Sequence, residues 1–493
     1  MFRSSICASC RLSLRSTVRR PATTFLSASA PLAHRANIAF TTQATFSRFN
    51  STRPTSQNDL ITKLAHGLLV RRAASTASAE APPAEAPSPP PSPPVNSKAT
   101  GYWLLFSASL VFGIVVIGGL TRLTESGLSI TEWKPVTGTI PPLTHAEWET
   151  EFAKYKNSPE YKVLRSEDMT LAEFQYIFGF EWAHRVWGRA IGLVFVVPTL
   201  YLIARRRVTP RIAKRLLGIG ALIGFQGFIG WWMVASGLKD ELLEEGKHPR
   251  VSQYRLATHL GTAFLVYVAM LNTGLEILKS HAKSLPSNEL LSKPELRPFR
   301  RYTHFLMALV FLTALSGAFV AGLDAGMIYN EFPTMGGPGR LAPPLSDLFS
   351  SDYATSPDHS DLYWRNFLEN PVLVQLDHRI LATTTFFATL ALWIYSKRLP
   401  LLPLPAKRAA DACMALVTMQ VALGISTLLM CVPIPLAAAH QAGSLALLTG
   451  TLVLGSRVQP VRRAIASQNK AMKAAGVVGL AGMYVPGRRI EGL

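Results

Sequence analysis

Residues 181–204 read EWAHRVWGRAIGLVFVVPTLYLIA, a glutamate, a histidine three residues on, two arginines, and then an unbroken run of mostly apolar side chains. A helix needs about 20 such residues to cross the roughly 30 Å of hydrocarbon in a bilayer. Only helices and closed barrels satisfy their backbone polar groups there, and this run has the length of a helix. The histidine lies a few residues inside one end, where an ionisable group is expensive and so marks function. Seven further stretches have the same length and character, near 102–120, 213–235, 253–278, 302–322, 372–395, 409–431 and 436–454. Of the 493 residues, 48% are hydrophobic and 16% charged, and the mean hydropathy is positive. This excludes an ordinary single soluble domain. The fold class expected is an all-α polytopic membrane protein with eight transmembrane helices.

The chain begins differently. Its first acidic residue is Asp59, and Arg3, Arg11, Arg15, Arg19, Arg20, Arg35, Arg48 and Arg53 precede it among serines, threonines and alanines. Residues 1–80 therefore read as a mitochondrial transit peptide and disordered leader, and 81–100 as a Pro/Ala-rich spacer. Part of the net charge of +20 is thus an address, and the rest falls in short loops on one face, so no nucleic-acid partner is expected. The pair Cys7 and Cys10 lacks the second pair that a zinc or redox site would need. Cys413 and Cys431 fall 18 residues apart on one expected helix, roughly 27 Å, so they cannot bridge each other.

Loop charges orient the spans. The loops after the second, fourth and sixth carry Arg205, Arg206 and Arg207, then Lys279, Arg300 and Arg301, then Lys397, Arg398, Lys407 and Arg408. By the positive-inside rule this face is the matrix, with both termini on it. The long loops after the first and fifth spans carry Glu147, Glu149 and Glu151, and Asp347, Asp352 and Asp358, and face the intermembrane space.

An internal repeat emerges when the halves are offset. Gly118, Glu125, Gly127 and Glu132 match Gly317, Asp324, Gly326 and Glu331 at a shift of 199, and His184 and Gln226 match His378 and Gln420 at 194. His259 matches His440 at 181, because the third loop of the first half is longer. The eight helices are thus expected as two tandem pseudo-symmetric four-helix bundles, 101–280 and 281–460, followed by a matrix tail, 461–493. An even number of spans per unit makes the repeats parallel.

His184, His259, His378 and His440 each begin a different span on the same side of the membrane. Two from each repeat, at one depth, suit two haem irons held between facing histidines. The other seven histidines fall in the leader, polar loops or the matrix face and have no repeat partner. Glu181 shares a helix face with His184, whereas the matching position is Gln375. A proton-handling group at one site and its neutral isostere at the other suggest one reactive site and one electron-carrying or structural site. Arg185, Arg189 and Arg379 follow the histidines and match haem propionates by their forked geometry; snorkelling to the interface is the plainer use. Gln226 and Gln420 are buried groups expected to bond across helices.

GGLTRLTESGLSITEWKP at 118–135, EWAHRVWGR at 181–189, DHR at 377–379 and the two later histidines closely resemble the mitochondrial branch of the haem A synthase family, a cytochrome c oxidase assembly family. The resemblance spans roughly 101–457. It implies an inner-membrane oxidoreductase that oxidises the C8 methyl of haem O to the formyl group of haem A, a four-electron change. It also implies that His184 and His259 bracket the substrate haem with Glu181 as the essential carboxylate, while His378 and His440 ligate a resident haem b. Ferredoxin, its reductase and a haem O synthase are implied as partners in the inner-membrane lipid, and self-association is compatible with it. The cysteine pair that many bacterial members carry in an external loop is absent here, so no mechanism through those thiols is transferred. The alternative is a b-type bis-histidine electron-transfer cytochrome, a quinol oxidoreductase, which would usually place two haem histidines on one helix. A transporter of parallel repeats would instead show polar breaks at mid-membrane.

Overall fold

A computed structural model describes residues 96–135, 137–165, 169–244, 249–282 and 286–460. The leader, most of the spacer, the Cys7–Cys10 pair and the matrix tail lie outside the described residues. Among those described there is no strand, and eight helices are long and apolar enough to cross a membrane. They are α1 (Lys98–Leu123), α2 (Leu171–Ala204), α3 (Pro210–Gly237), α4 (Gln253–Ser280), α5 (Arg297–Gly322), α6 (Pro371–Arg398), α7 (Leu404–Leu429) and α8 (Ile434–Val458). Five of them, α3 and α5 to α8, carry proline in the first helical positions. Its fixed φ suits a helix start and its missing N–H is not needed there.

Neighbours in sequence are neighbours in space. α1 packs on α2 and α4, α2 on α3 and α3 on α4, closing one ring; α5 to α8 close another in the same order. The rings meet where α4 lies against α5 and α8, and α1 against α8. These four inner helices supply much of the continuous core, with Leu104, Ala108 and Val111 of α1, Phe264, Tyr267 and Met270 of α4, Leu306 and Val310 of α5, and Leu445, Leu448 and Leu452 of α8, and the outer helices add residues such as Phe195 and Leu216. Lipid is as apolar as leucine, so close packing and polar links must hold helices together. Both are present. A Cβ placed on Gly274 of α4 would stand 3.1 Å from the Gly101 carbonyl of α1, so the two backbones touch. Between the rings, Gln441 Nε2 donates to the Val115 carbonyl at 3.0 Å, and the Tyr267 and Thr449 hydroxyls pair at 2.6 Å.

α2 starts eleven residues earlier than its apolar run implies, at Leu171 rather than Trp182. A capping box explains the start: Thr170 accepts from the Glu173 N–H while the Glu173 carboxylate accepts from the Thr170 N–H. The extra turns bury Phe174, Ile177 and Phe178 against Phe152, Tyr155 and Tyr161 of the loop helices His145–Lys156 and Pro159–Leu164. At about 1.5 Å per residue, the 34 residues of α2 exceed the bilayer core by several turns, so the first loop packs on a helical stalk. α7 starts five residues before the expected stretch and stops two residues short of its end, at Leu429, where Cys431 and Val432, both at φ 58°, turn the chain into α8. Cys413 is buried and free.

The loop packed on this stalk holds a buried carboxyl. Tyr155 donates its hydroxyl to Glu160 Oε1 at 3.0 Å, and Arg165 lies 3.7 Å away. Burial pushes the Glu160 carboxyl up to about 7, against the lowering influence of Tyr155 and Arg165. A carboxyl raised on folding stabilises the fold below its unfolded pKa, near 4.5, and that contribution is lost as pH rises through about 7. Hydrogen exchange of Pro159–Leu164, corrected for intrinsic rate, is therefore expected to quicken between about pH 4.5 and 7 and level off above it, and Glu160→Gln to flatten the dependence. A flat profile in the unaltered protein would contradict this.

Candidate functional site

The helices bring the four histidines together in the two pairs expected. His184 of α2 faces His259 of α4 with ring centroids 6.4 Å apart, and His378 of α6 faces His440 of α8 at 6.5 Å. Imidazole–metal bonds of about 2.0–2.1 Å on opposite sides of one ion place ring centres roughly 6.3 Å apart. Both pairs therefore fit a single iron between them. No group of three or more histidine, cysteine or acidic side chains that could hold a metal gathers among the described residues, so the chain would offer an iron here two imidazoles and leave its other donors to a bound group such as a porphyrin.

Each imidazole also rests on a glycine of the preceding helix. A Cβ built at Gly118, Gly230, Gly317 or Gly424 would lie 3.1, 3.2, 3.5 or 2.8 Å from a ring atom of His184, His259, His378 or His440 respectively. Gly230 and Gly424 were missed from sequence, although they obey the same shift of 194 as the glutamines. Gly424→Ala is expected to displace His440 and reduce haem content, since forcing a methyl into such contact costs about 1–3 kcal/mol. Gly317→Ala should keep the wild-type absorbance, because 3.5 Å is ordinary contact. Equal haem content in the two variants would show that the glycines do not seat the rings.

The glutamines do bond across helices. Gln226 Nε2 donates to the His259 carbonyl at 2.7 Å and Gln420 Nε2 to the His440 carbonyl at 2.8 Å. In both halves the second histidine keeps a buried Nδ1 with no hydrogen-bond partner.

The halves differ at the preceding turn. Glu181 is 3% exposed. Its Oε2 accepts from Ser129 Oγ at 2.6 Å and from the Ile130 N–H at 2.8 Å, while Oε1 accepts from Arg185 Nη2 at 2.6 Å. Gln375, equally buried, instead donates its amide to the Ala325 and Ile328 carbonyls, and its Oε1 has no hydrogen-bond partner. Only the first site has a carboxylate one turn before its histidine, held by three donors in a place where water is scarce.

The arginines serve the loops. Arg185 donates to the Ile130 and Glu132 carbonyls as well as to Glu181. Arg379 donates to the carbonyls of Tyr329 and Glu331, which stand 199 residues on from those two, and to Thr334. Arg189 holds the carbonyls of Lys134 and Pro135. Each thus ties the loop after α1 or α5 to the histidine helix beside it. Arg189 Nη1 and Arg379 Nε remain buried without a partner.

Fold and site together define an all-helical membrane protein with two intramembrane histidine pairs, one of them beside a clamped carboxylate. Residues 101–452 match the sequence model of the family described as cytochrome oxidase assembly protein. The heme A synthase of Saccharomyces cerevisiae is 51% identical over 375 residues, 74% of this chain and 76% of that protein. The human heme A synthase is 48% identical over 364 residues, 74% of this chain and 83% of its own length. A heme A synthase–mitochondrial ferredoxin fusion protein of Schizosaccharomyces pombe is 52% identical over 376 residues, 74% of this chain, which spans only 61% of that fusion. The chain belongs to the cytochrome oxidase assembly family that contains the heme A synthases.

Proposed function

We infer that this chain converts haem O into haem A in the mitochondrial inner membrane, by four-electron oxidation of a porphyrin methyl to a formyl group. The observation that carries the reading is Glu181, a buried carboxylate one helical turn from His184 and clamped by Ser129, Ile130 and Arg185, in a chain half identical to heme A synthases. The substrate haem lies between His184 and His259. Glu181 takes up or delivers protons as the methyl is oxidised. Arg185, engaged with the carboxylate and two carbonyls, acts by holding Glu181 in place.

His378 and His440 hold a resident haem b, which when bound supplies one-electron transfer. Their neighbour Gln375 is neutral and cannot take a proton, in keeping with a site that carries charge without chemistry. The buried, unpartnered Arg379 Nε is the donor assigned to a propionate there, and in the first site the unpartnered Arg189 Nη1, one turn beyond the matching Arg185, takes that role. The two rings are read as parallel repeats of one four-helix unit, with the termini in the matrix and the histidines toward the intermembrane space. A ferredoxin exchanges electrons with the chain; the fusion protein of Schizosaccharomyces pombe, whose name joins the two, supports that partner.

The test is acid extraction and mass analysis of haems from the chain co-expressed with a haem O synthase. Haem b together with haem O or haem A is expected; haem b alone at two per chain would replace this reading with an electron-transfer cytochrome.

A further inference from the structure

We propose that Ser316 is a positioning residue that locks His378 as a permanent iron ligand, and that Ile117, at the matching place in the first half, leaves His184 able to release the substrate haem. This rests on the assignment of the two sites above and names what makes them behave differently.

Ser316 lies one residue before Gly317, the glycine against which His378 rests. Its Oγ is 2.7 Å from His378 Nδ1 and 2.7 Å from the Thr313 carbonyl. A serine has one hydroxyl proton. The carbonyl only accepts, so that proton goes to Thr313, and the Oγ must then accept from His378 Nδ1–H. This assigns the tautomer: Nδ1 carries the proton and Nε2 keeps its lone pair for a metal. A donor link from the second nitrogen both orients a ligating imidazole and raises its basicity. Nearby, the Thr313 hydroxyl meets Thr385 Oγ1 of α6 at 2.7 Å and ties α5 to the histidine helix. His378 is therefore braced against α5.

The first half lacks this brace. Gly118 seats His184 as Gly317 seats His378, and the residue before Gly118 is Ile117, whose side chain has no group to receive an N–H. The other supports are shared: a glycine under each ring and a glutamine on each second histidine. Two differences fall at residues that support the first histidine of each pair, Glu181 against Gln375 and Ile117 against Ser316. One sets the proton chemistry and the other sets how firmly the first histidine of each pair holds iron. An iron with two histidines bound has no open position, so a ligand that lets go is needed in the reactive site and unwanted in the resident one.

The experiment follows carbon monoxide binding to the reduced full-length chain, purified with its haems. Losing such a second partner typically weakens metal binding 10–100-fold, so Ser316→Ala is expected to let CO displace histidine from haem b about 10–100-fold faster than in the unaltered chain. Ser316→Thr, which keeps the hydroxyl, should restore the slow rate. Ile117→Ser should slow CO capture at the first site, and with it haem A formation. An unchanged CO rate and haem b spectrum in Ser316→Ala would overturn the proposal. If that variant holds no haem b at all, Ile117→Ser decides, because it adds a hydroxyl and removes no ligand; an unchanged first-site rate there also overturns it. His378→Ala retaining all its haem b would instead defeat the site assignment, whatever Ser316 does.

Discussion

Glu181→Gln is expected to retain both haems and to lower haem A formation by at least about 100-fold, the lower end of what a positioned proton-transfer group contributes. The substitution keeps the side chain's shape, so the stalk of α2 and the ring of His184 need not move. It removes the only negative charge among the ligands of Ser129 Oγ, the Ile130 N–H and Arg185 Nη2. The new amide can satisfy these donors with one oxygen but not two, which loosens the loop slightly, while the capacity to take a proton is lost outright. Haem content by absorbance and haem A by acid extraction separate the two effects. Normal haem A output from this variant would remove the carboxylate from the mechanism. Native haem binding with no product would place Glu181 in the chemistry rather than in the scaffold.

His378→Ala or His440→Ala is expected to abolish most b-type absorbance while the first site still takes up haem O. Losing a direct ligand should exceed the roughly 10–100-fold cost of losing an outer partner. The rest of the second site stays in place without its imidazoles, since Gln375 is bonded to the Ala325 and Ile328 carbonyls, and Arg379 to those of Tyr329, Glu331 and Thr334. The fold should therefore survive and the loss should be specific. Unchanged b-type absorbance in either variant would contradict the assignment of the resident haem. The converse pair, His184→Ala and His259→Ala, should leave that absorbance in place and stop product formation.

The eight spans were legible because crossing a membrane imposes a length and a composition that any stretch of chain either meets or fails. The histidines were legible because an ionisable group at a matched place in four spans is costly to keep without a use. The glutamine links and the seating glycines Gly230 and Gly424 obey the shift of 194 that His184 and His378 share, and Gly118 and Gly317 the shift of 199. The stalk of α2 was missed because its first turns are polar enough to fail an apolar-run criterion. Its signal was the pair Thr170 and Glu173 at capping-box spacing.

The arginines mark the limit of such reading. A guanidinium beside a haem histidine serves a propionate or a carbonyl equally well on chemical grounds, and nothing in the spacing of Arg185 or Arg379 selects one. The folded loops engage each guanidinium by carrying the carbonyls of Ile130 and Glu132, or of Tyr329 and Glu331, into reach. The same holds for Glu181, whose partners Ser129 and Ile130 lie about fifty residues earlier, and for Ser316, sixty-two residues before His378. What the sequence alone determined was which segments enter the membrane and which ionisable groups they carry with them, since both are local costs of leaving water. What only the tertiary structure decided was which donor meets which acceptor, because a hydrogen bond is set within a few tenths of an ångström by helices and loops far apart in the chain.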